Sequence, residues 1–155
     1  MKAERKTLSF TMKLEAEPEK IFPLLCPVRE YDWIQSWKCE MVYADSGLAE
    51  LDGIFKTGNP ATGLEDTWLI SRHESPVRIE FVRWNTIRAI HYTISLKAVD
   101  GGTESEWKQV LTGLTEEGNE YIRNLDGREF ETMCKAEEKM LNHYLKTGKM
   151  LKADG

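Results

Sequence analysis

Cysteine is scarce in this chain. Cys26, Cys39 and Cys134 are odd in number and widely spaced across 155 residues, which excludes a disulfide framework. They read as reduced thiols of a cytoplasmic protein. Long apolar runs are also lacking, and nothing approaches the ~20 residues needed to span a bilayer. The start, MKAERKTLSF, is charged and then alternating, without the apolar core of a signal peptide. Basic charge is in deficit: 21 Lys and Arg against 26 Asp and Glu leave a formal charge of −5. That balance opposes nucleic acid or an anionic membrane surface as partner, since both favour a basic face. No Pro-, Gly- or Ser-rich linker divides the chain, so residues 1–155 are expected to form one domain.

The usual signatures of chemistry are missing as well. GxxxxGK[ST], GxGxxG, HExxH, CxxC and GxSxG do not occur. His73, His91 and His143 lie far apart, so no metal site and no cofactor are expected. Neither Cys26 nor Cys134 has a sequence-local histidine to activate it, and both read as inert thiols. Glu15-Glu17-Glu19 and Glu137-Glu138 read as solvated charge.

What is present is a series of strands. From Thr7 to Leu14, Leu8, Phe10, Met12 and Leu14 alternate with polar neighbours, the period of a half-buried strand. PEKIFPLL opens with Pro18 at a permitted first-turn position, and Pro23 and Pro27 confine that helix to a turn or two. A second short helical piece is expected around Tyr31 to Trp37. Further strands are expected at Cys39–Ala44, Gly53–Thr57, Asp66–Arg72, Val77–Trp84, Ala89–Val99 and Thr103–Leu114. They are separated by turn signals such as Gly58-Asn59-Pro60 and Asp100-Gly101-Gly102. After Gly118 the period changes to that of a helix running from Glu117 to about Lys149. Ile122, Phe130, Met133, Met140 and Tyr144 form its apolar stripe, and a kink is expected near Asp126-Gly127. The layout is α+β: a curved antiparallel sheet of six to seven strands, two short helices after the first strand, and one long C-terminal helix.

This order, together with CPVREYDWIQSW (26–37), SGLAELDGIF (46–55), the Thr67-Trp68 pair and EWKQVLTGLT (106–115), resembles the START-like superfamily, also called SRPBCC or helix-grip proteins. The resemblance covers essentially the whole chain and points to an uncharacterised bacterial branch. It implies a sheet gripping the long helix with a cavity between them, in a superfamily whose members mostly bind lipids, sterols, polyketides or other apolar small molecules. Some members are aromatase/cyclases.

Strand phase identifies the interior. Ile90, Tyr92, Ile94, Leu96 and Ala98 must face one way, away from His91, Thr93, Ser95 and Lys97. Trp107 shares a face with Ser105 and Gln109, because the opposite choice would bury Glu104, Glu106 and Lys108. Phe55, Trp68, Ile70 and Phe81 complete the expected wall. Met133 and Met140 face it from the helix, and methionine adapts to irregular space. Arg72 and Arg83 lie in phase with inward residues. They either reach solvent or pair with Glu65, Asp66 or Glu80 at the sheet margin, or one of them clamps a ligand carboxylate at the cavity mouth. Tyr31, Trp33 and Trp37 are expected to plug one end of the sheet, with Trp33 and Trp37 as a fixed plug or a movable gate. Arg29, Glu30 and Asp32 are expected to cap the helices or pair with one another.

Two interiors fit this pattern, a solid core and a cavity of several hundred Å³. The candidate ligand-binding residues are Trp33, Trp37, Phe55, Trp68, Ile70, Phe81, Arg83, Tyr92, Ile94, Trp107, Gln109, Met133 and Met140. The expected function is binding or transport of a hydrophobic or amphipathic small molecule by a monomer or homodimer that does not insert into membranes. A cyclase- or isomerase-type enzyme and an interaction module for a larger protein are the alternatives.

Overall fold

Alternation becomes strand geometry throughout. The computed structural model describes residues 1–59 and 63–153. In β1 (Arg5–Leu14), Leu8, Phe10, Met12 and Leu14 turn toward the core while Thr7, Ser9, Thr11 and Lys13 are exposed. The chain then passes through α1 (Pro18–Ile21) and two 3₁₀ turns, Phe22–Leu24 and Arg29–Asp32. It goes on through β2 (Glu40–Tyr43), β3 (Ile54–Asn59), β4 (Leu64–Glu74), β5 (Arg78–Trp84), β6 (Arg88–Val99) and β7 (Gly102–Gly113). All seven strands form one antiparallel sheet in the order β1-β7-β6-β5-β4-β3-β2. The expected turn at Gly58-Asn59-Pro60 ends beyond the described residues at Pro60, while Gly58 and Asn59 belong to β3. At the β6–β7 hairpin, Gly101 adopts a φ of +82°, which a side chain would resist.

Because β1 and β2 are the opposite edges of the sheet, the segment joining them must cross from one edge to the other. The proline-broken helical turns make that crossing. Their buried side chains, Ile21, Phe22, Leu24, Leu25, Trp33 and Ile34, join the main core.

The C-terminal helical run is two helices, α2 (Glu116–Asn124) and α3 (Gly127–Thr147). The break falls at Leu125-Asp126, where the expected kink lies. Leu125 is extended, and the Asp126 side chain caps α3 by accepting from the backbone N–H of Arg128 at 2.9 Å. The continuous rod is therefore shorter than one helix from Glu117 to Lys149. At 1.5 Å per residue the 21 residues of α3 extend about 31 Å.

Its buried face also differs in phase from the expected stripe. Phe130, Cys134 and Leu141 are the buried residues, while Met140 and Tyr144 flank them and Met133 is 39% exposed. Glu137 falls between Cys134 and Leu141 on that same face, at the i+7 position from Phe130. Glu138 is not simply solvated either: its carboxylate accepts from the backbone N–H of Lys13 at 2.7 Å. Asn142 accepts from Glu15 N–H and donates to Lys13 O. Polar side chains of α3 thus satisfy backbone groups of the edge strand β1 that would otherwise be open to another strand.

A register shift in β4 corrects the inward phase expected of Arg72, while its expected pairing with Glu80 holds. Ile70 pairs with Phe81, but Arg72 pairs with Glu80, so one extra residue, Ser71, intervenes. The shift turns Arg72 to the outer face, where it bonds Glu74 and Glu80.

Candidate ligand pocket

The inner faces of β3 to β7 carry an unbroken row of rings. Phe55 stacks on Trp68 at 5.1 Å between centroids, and Trp68 meets Phe81 edge-on at 5.5 Å. Phe81 leads to Tyr92, and Tyr92 to Trp107, each at slightly over 6 Å. Register accounts for the row, since Phe55 pairs with Trp68, Phe81 with Tyr92 and Ile94 with Trp107. Two indoles are anchored within the wall: Trp68 donates to Thr57 Oγ1 at 2.8 Å, and Trp107 to Ser105 Oγ at 2.9 Å.

Between this wall and α3 lies a pocket of about 200 Å³. Of the residues expected from sequence, Trp37, Phe55, Trp68, Phe81, Arg83, Tyr92, Ile94, Trp107, Gln109 and Met133 line it. Trp33, Ile70 and Met140 do not. Trp33, itself part of the crossing segment, is wholly buried, its indole donating to Leu24 O at 2.9 Å. Ile70 is packed in the core beyond the pocket, and Met140 packs against the core edge. Trp37 is tethered to Pro27 O at 2.7 Å and stands at the pocket wall. Tyr31 does not act as a plug. It is 46% exposed, and its hydroxyl both donates to Cys39 O and accepts from Cys39 N–H.

The polar content of the pocket is what sequence reasoning missed. Glu30 and Glu137, both half-buried, line it, and no hydrogen-bond or ion-pair partner meets either carboxylate among the described residues. Burial, with the charge of Glu137 added, pushes the Glu30 carboxyl well above the usual range. Burial alone pushes Glu137 up to about 7. Tyr92 is shifted the same way, chiefly by desolvation and then by the charge of Glu137. The Tyr92 hydroxyl and the Gln109 amide also lack partners among the described residues, though both side chains are more than nine-tenths buried. A signal for Glu137 was present in the sequence. It stands seven residues from Phe130, three from Cys134 and four from Leu141, where a helix presents one face.

Arg83 is committed elsewhere. Its Nε donates to Asp66 Oδ2 at 3.0 Å, and the guanidinium lies 4.2 Å over the Trp68 ring. Asp66 also accepts from Arg88 Nη2 at 2.8 Å and from Asn85 Nδ2 at 2.9 Å. Burial alone would raise the Asp66 carboxyl, but the bonds from Arg88 and Arg83 outweigh it and hold the group below its usual value. Arg88 is 1% exposed, and its Nε and Nη1 have no hydrogen-bond partner among the described residues. A second pocket of about 300 Å³, between β6, β7 and the α2–α3 junction, is lined by Arg88 and shares Arg83, Gln109 and Met133 with the first.

Among the described residues, no cluster of three His, Cys, Asp or Glu side chains is arranged to hold a metal ion. No helix of the described residues is long and apolar enough to cross a membrane.

No family model matches the chain, and no curated protein matches its sequence. Solved structures do match its shape. An uncharacterised protein from Rhizobium leguminosarum superposes with a TM-score of 0.66 at 17% identity, over 94% of this chain and 97% of that one. DynU16, a protein of the dynemicin biosynthetic locus, gives 0.65 at 12% identity, over 92% of this chain and 48% of that one. Ara h 8.0201 gives 0.63 at 12% identity, covering 92% and 98%. At such identities the likeness concerns the fold alone, a curved antiparallel sheet with a long C-terminal helix.

Proposed function

We propose that the protein binds a hydrophobic or amphipathic small molecule between the sheet and α3. The carrying observation is the pairing of an aromatic wall with unpartnered polar groups facing the same space. A solid core would satisfy the Gln109 amide and Tyr92 hydroxyl internally, since buried polar groups normally find partners. An apolar enclosure with a few orienting polar groups is the usual form of a small-molecule site. The helix-grip likeness, including a protein of the dynemicin biosynthetic locus, supports this reading without naming a ligand.

Native mass spectrometry of protein purified from its own host, followed by organic extraction, tests the proposal. A co-purifying small molecule is expected. A ligand-free mass, together with no saturable uptake of a simple amphiphile such as 1-decanol, would count against it.

A second reading, an acid–base enzyme of the cyclase or isomerase kind, is favoured by one observation. Glu30, Glu137 and Tyr92 are titratable groups with raised pKa values on the walls of one pocket. Environments of that kind recur at catalytic sites. Loss of turnover in Glu137→Gln with retained ligand binding would support it; equal turnover would exclude Glu137 as the acid or base.

A further inference from the structure

The carboxyls of Glu30 and Glu137 have no counter-charge among the described residues. Elsewhere among the described residues the buried acids are matched by cations: Asp66 by Arg83 and Arg88, Glu80 by Arg72 and Arg78. The other charged groups on the pocket wall do not serve Glu30 or Glu137. Arg83 is bonded to Asp66, and Lys38 is exposed without an ion pair among the described residues. The surroundings of the two acids are aromatic: Trp37, Phe55, Trp68 and Trp107 line the same 200 Å³. Ring faces carry negative charge density and attract cations, most strongly where water is excluded. Two acids, ring faces and the unpartnered Tyr92 hydroxyl and Gln109 amide all offer acceptors. That array fits a positively charged nitrogen better than an anion.

We propose that the pocket binds an amphipathic amine, its protonated nitrogen between Glu30 and Glu137 and its apolar body against the aromatic wall. This rests on the reading that the interior binds a small molecule, and it specifies the class. Carboxyls that hold their protons must release them to meet a cation, so amine uptake near neutral pH is accompanied by proton release. Glu30, Glu137, Lys38 and Tyr92 are the titratable groups facing that nitrogen; the thiol of Cys134 is buried beside them, and Arg83 remains a fixed positive charge on the wall.

Isothermal titration calorimetry of the full chain with decylamine, 1-decanol and decanoate tests the inference. Each titration is run at pH 7 in two buffers of different ionisation enthalpy, so that protons are counted. The amine is expected to bind at least ~10-fold more tightly than the alcohol, the alcohol more tightly than the carboxylate, and only the amine to release protons. In Glu137→Gln the preference of amine over alcohol is expected to fall at least ~10-fold, with fewer protons released. Glu30→Gln provides the same reading should Glu137→Gln fail to fold. Equal affinity for amine and alcohol, or preference for decanoate, overturns the amine site and leaves interior binding standing. Failure of all three to bind overturns both.

Discussion

Glu30, in the second 3₁₀ turn after α1, and Glu137, on the buried face of α3, line one pocket from two different elements, and burial followed by the charge of Glu137 raises the pKa of Glu30. Neither reaches a cation among the described residues. A fold that merely filled its interior would place leucine or methionine at position 137, between Cys134 and Leu141.

Stability should therefore depend on pH through Glu137. Its carboxyl holds a proton up to about pH 7 in the folded chain, against an ordinary value of 4.5 when unfolded. The folded state binds the extra proton between those values. The stabilisation is full below pH 4.5 and is lost as pH rises through about 7. Discounting for partial exposure, the loss is roughly 1–3 kcal/mol. Urea unfolding at pH 5 and pH 8.5 should show this decline in the wild type and a flatter profile in Glu137→Gln. An unchanged profile in the variant would contradict the placement of Glu137.

The buried triad of Asp66, Arg83 and Arg88 carries a surplus positive charge. Asp66→Asn leaves two guanidinium groups uncompensated and should cost about 3–5 kcal/mol. Arg88→Met leaves Asp66 paired with Arg83 and removes two donors left unsatisfied among the described residues, so it should cost clearly less. Chemical denaturation of the two variants side by side checks the order, which the reverse ranking would refute.

The phase of α3 gives a third expectation. Leu141 is fully buried whereas Met140 packs at the core edge. Leu141→Ala should cost ~2–5 kcal/mol, and Met140→Ala about 1 kcal/mol or less. Thermal melts of the pair decide between this phase and one centred on Met133, Met140 and Tyr144.

Cys134 is buried, and desolvation followed by the charges of Glu137 and Glu138 pushes its thiol up to about 12. Ellman's reagent at pH 8 should leave Cys134 and buried Cys26 unmodified in the native protein, and half-buried Cys39 should react first. Rapid modification of Cys134 would contradict its burial. Mass mapping of the labelled peptides identifies the site.

The strands were legible because their signal is local. Alternation in Ala89–Val99 and around Trp107 fixes the inward side within a few residues, and charges at Glu104, Glu106 and Lys108 forbid the other choice. The aromatic wall followed from that phase. Arg72 escaped because a single extra residue, Ser71, reverses the face of everything after it, and no period reveals such a shift. Glu137 and Glu30 were read as solvated or capping charge because composition treats an acid as a surface residue. Only the spacing of Phe130, Cys134 and Leu141 betrays Glu137. Arg88 was hidden by distance, since its partner Asp66 is 22 residues away and contact is made across β4 to β6.

The five indoles offer the most direct test of interior binding. Trp37, Trp68 and Trp107 line the pocket, whereas Trp33 is sealed in the core and Trp84 lies on the exposed side of the sheet. In a ¹⁵N–¹H spectrum of the full chain titrated with 1-decanol, the first three indole N–H signals should shift together and saturably, while those of Trp33 and Trp84 stay in place. Movement confined to Trp84, or no movement at all, would contradict the account.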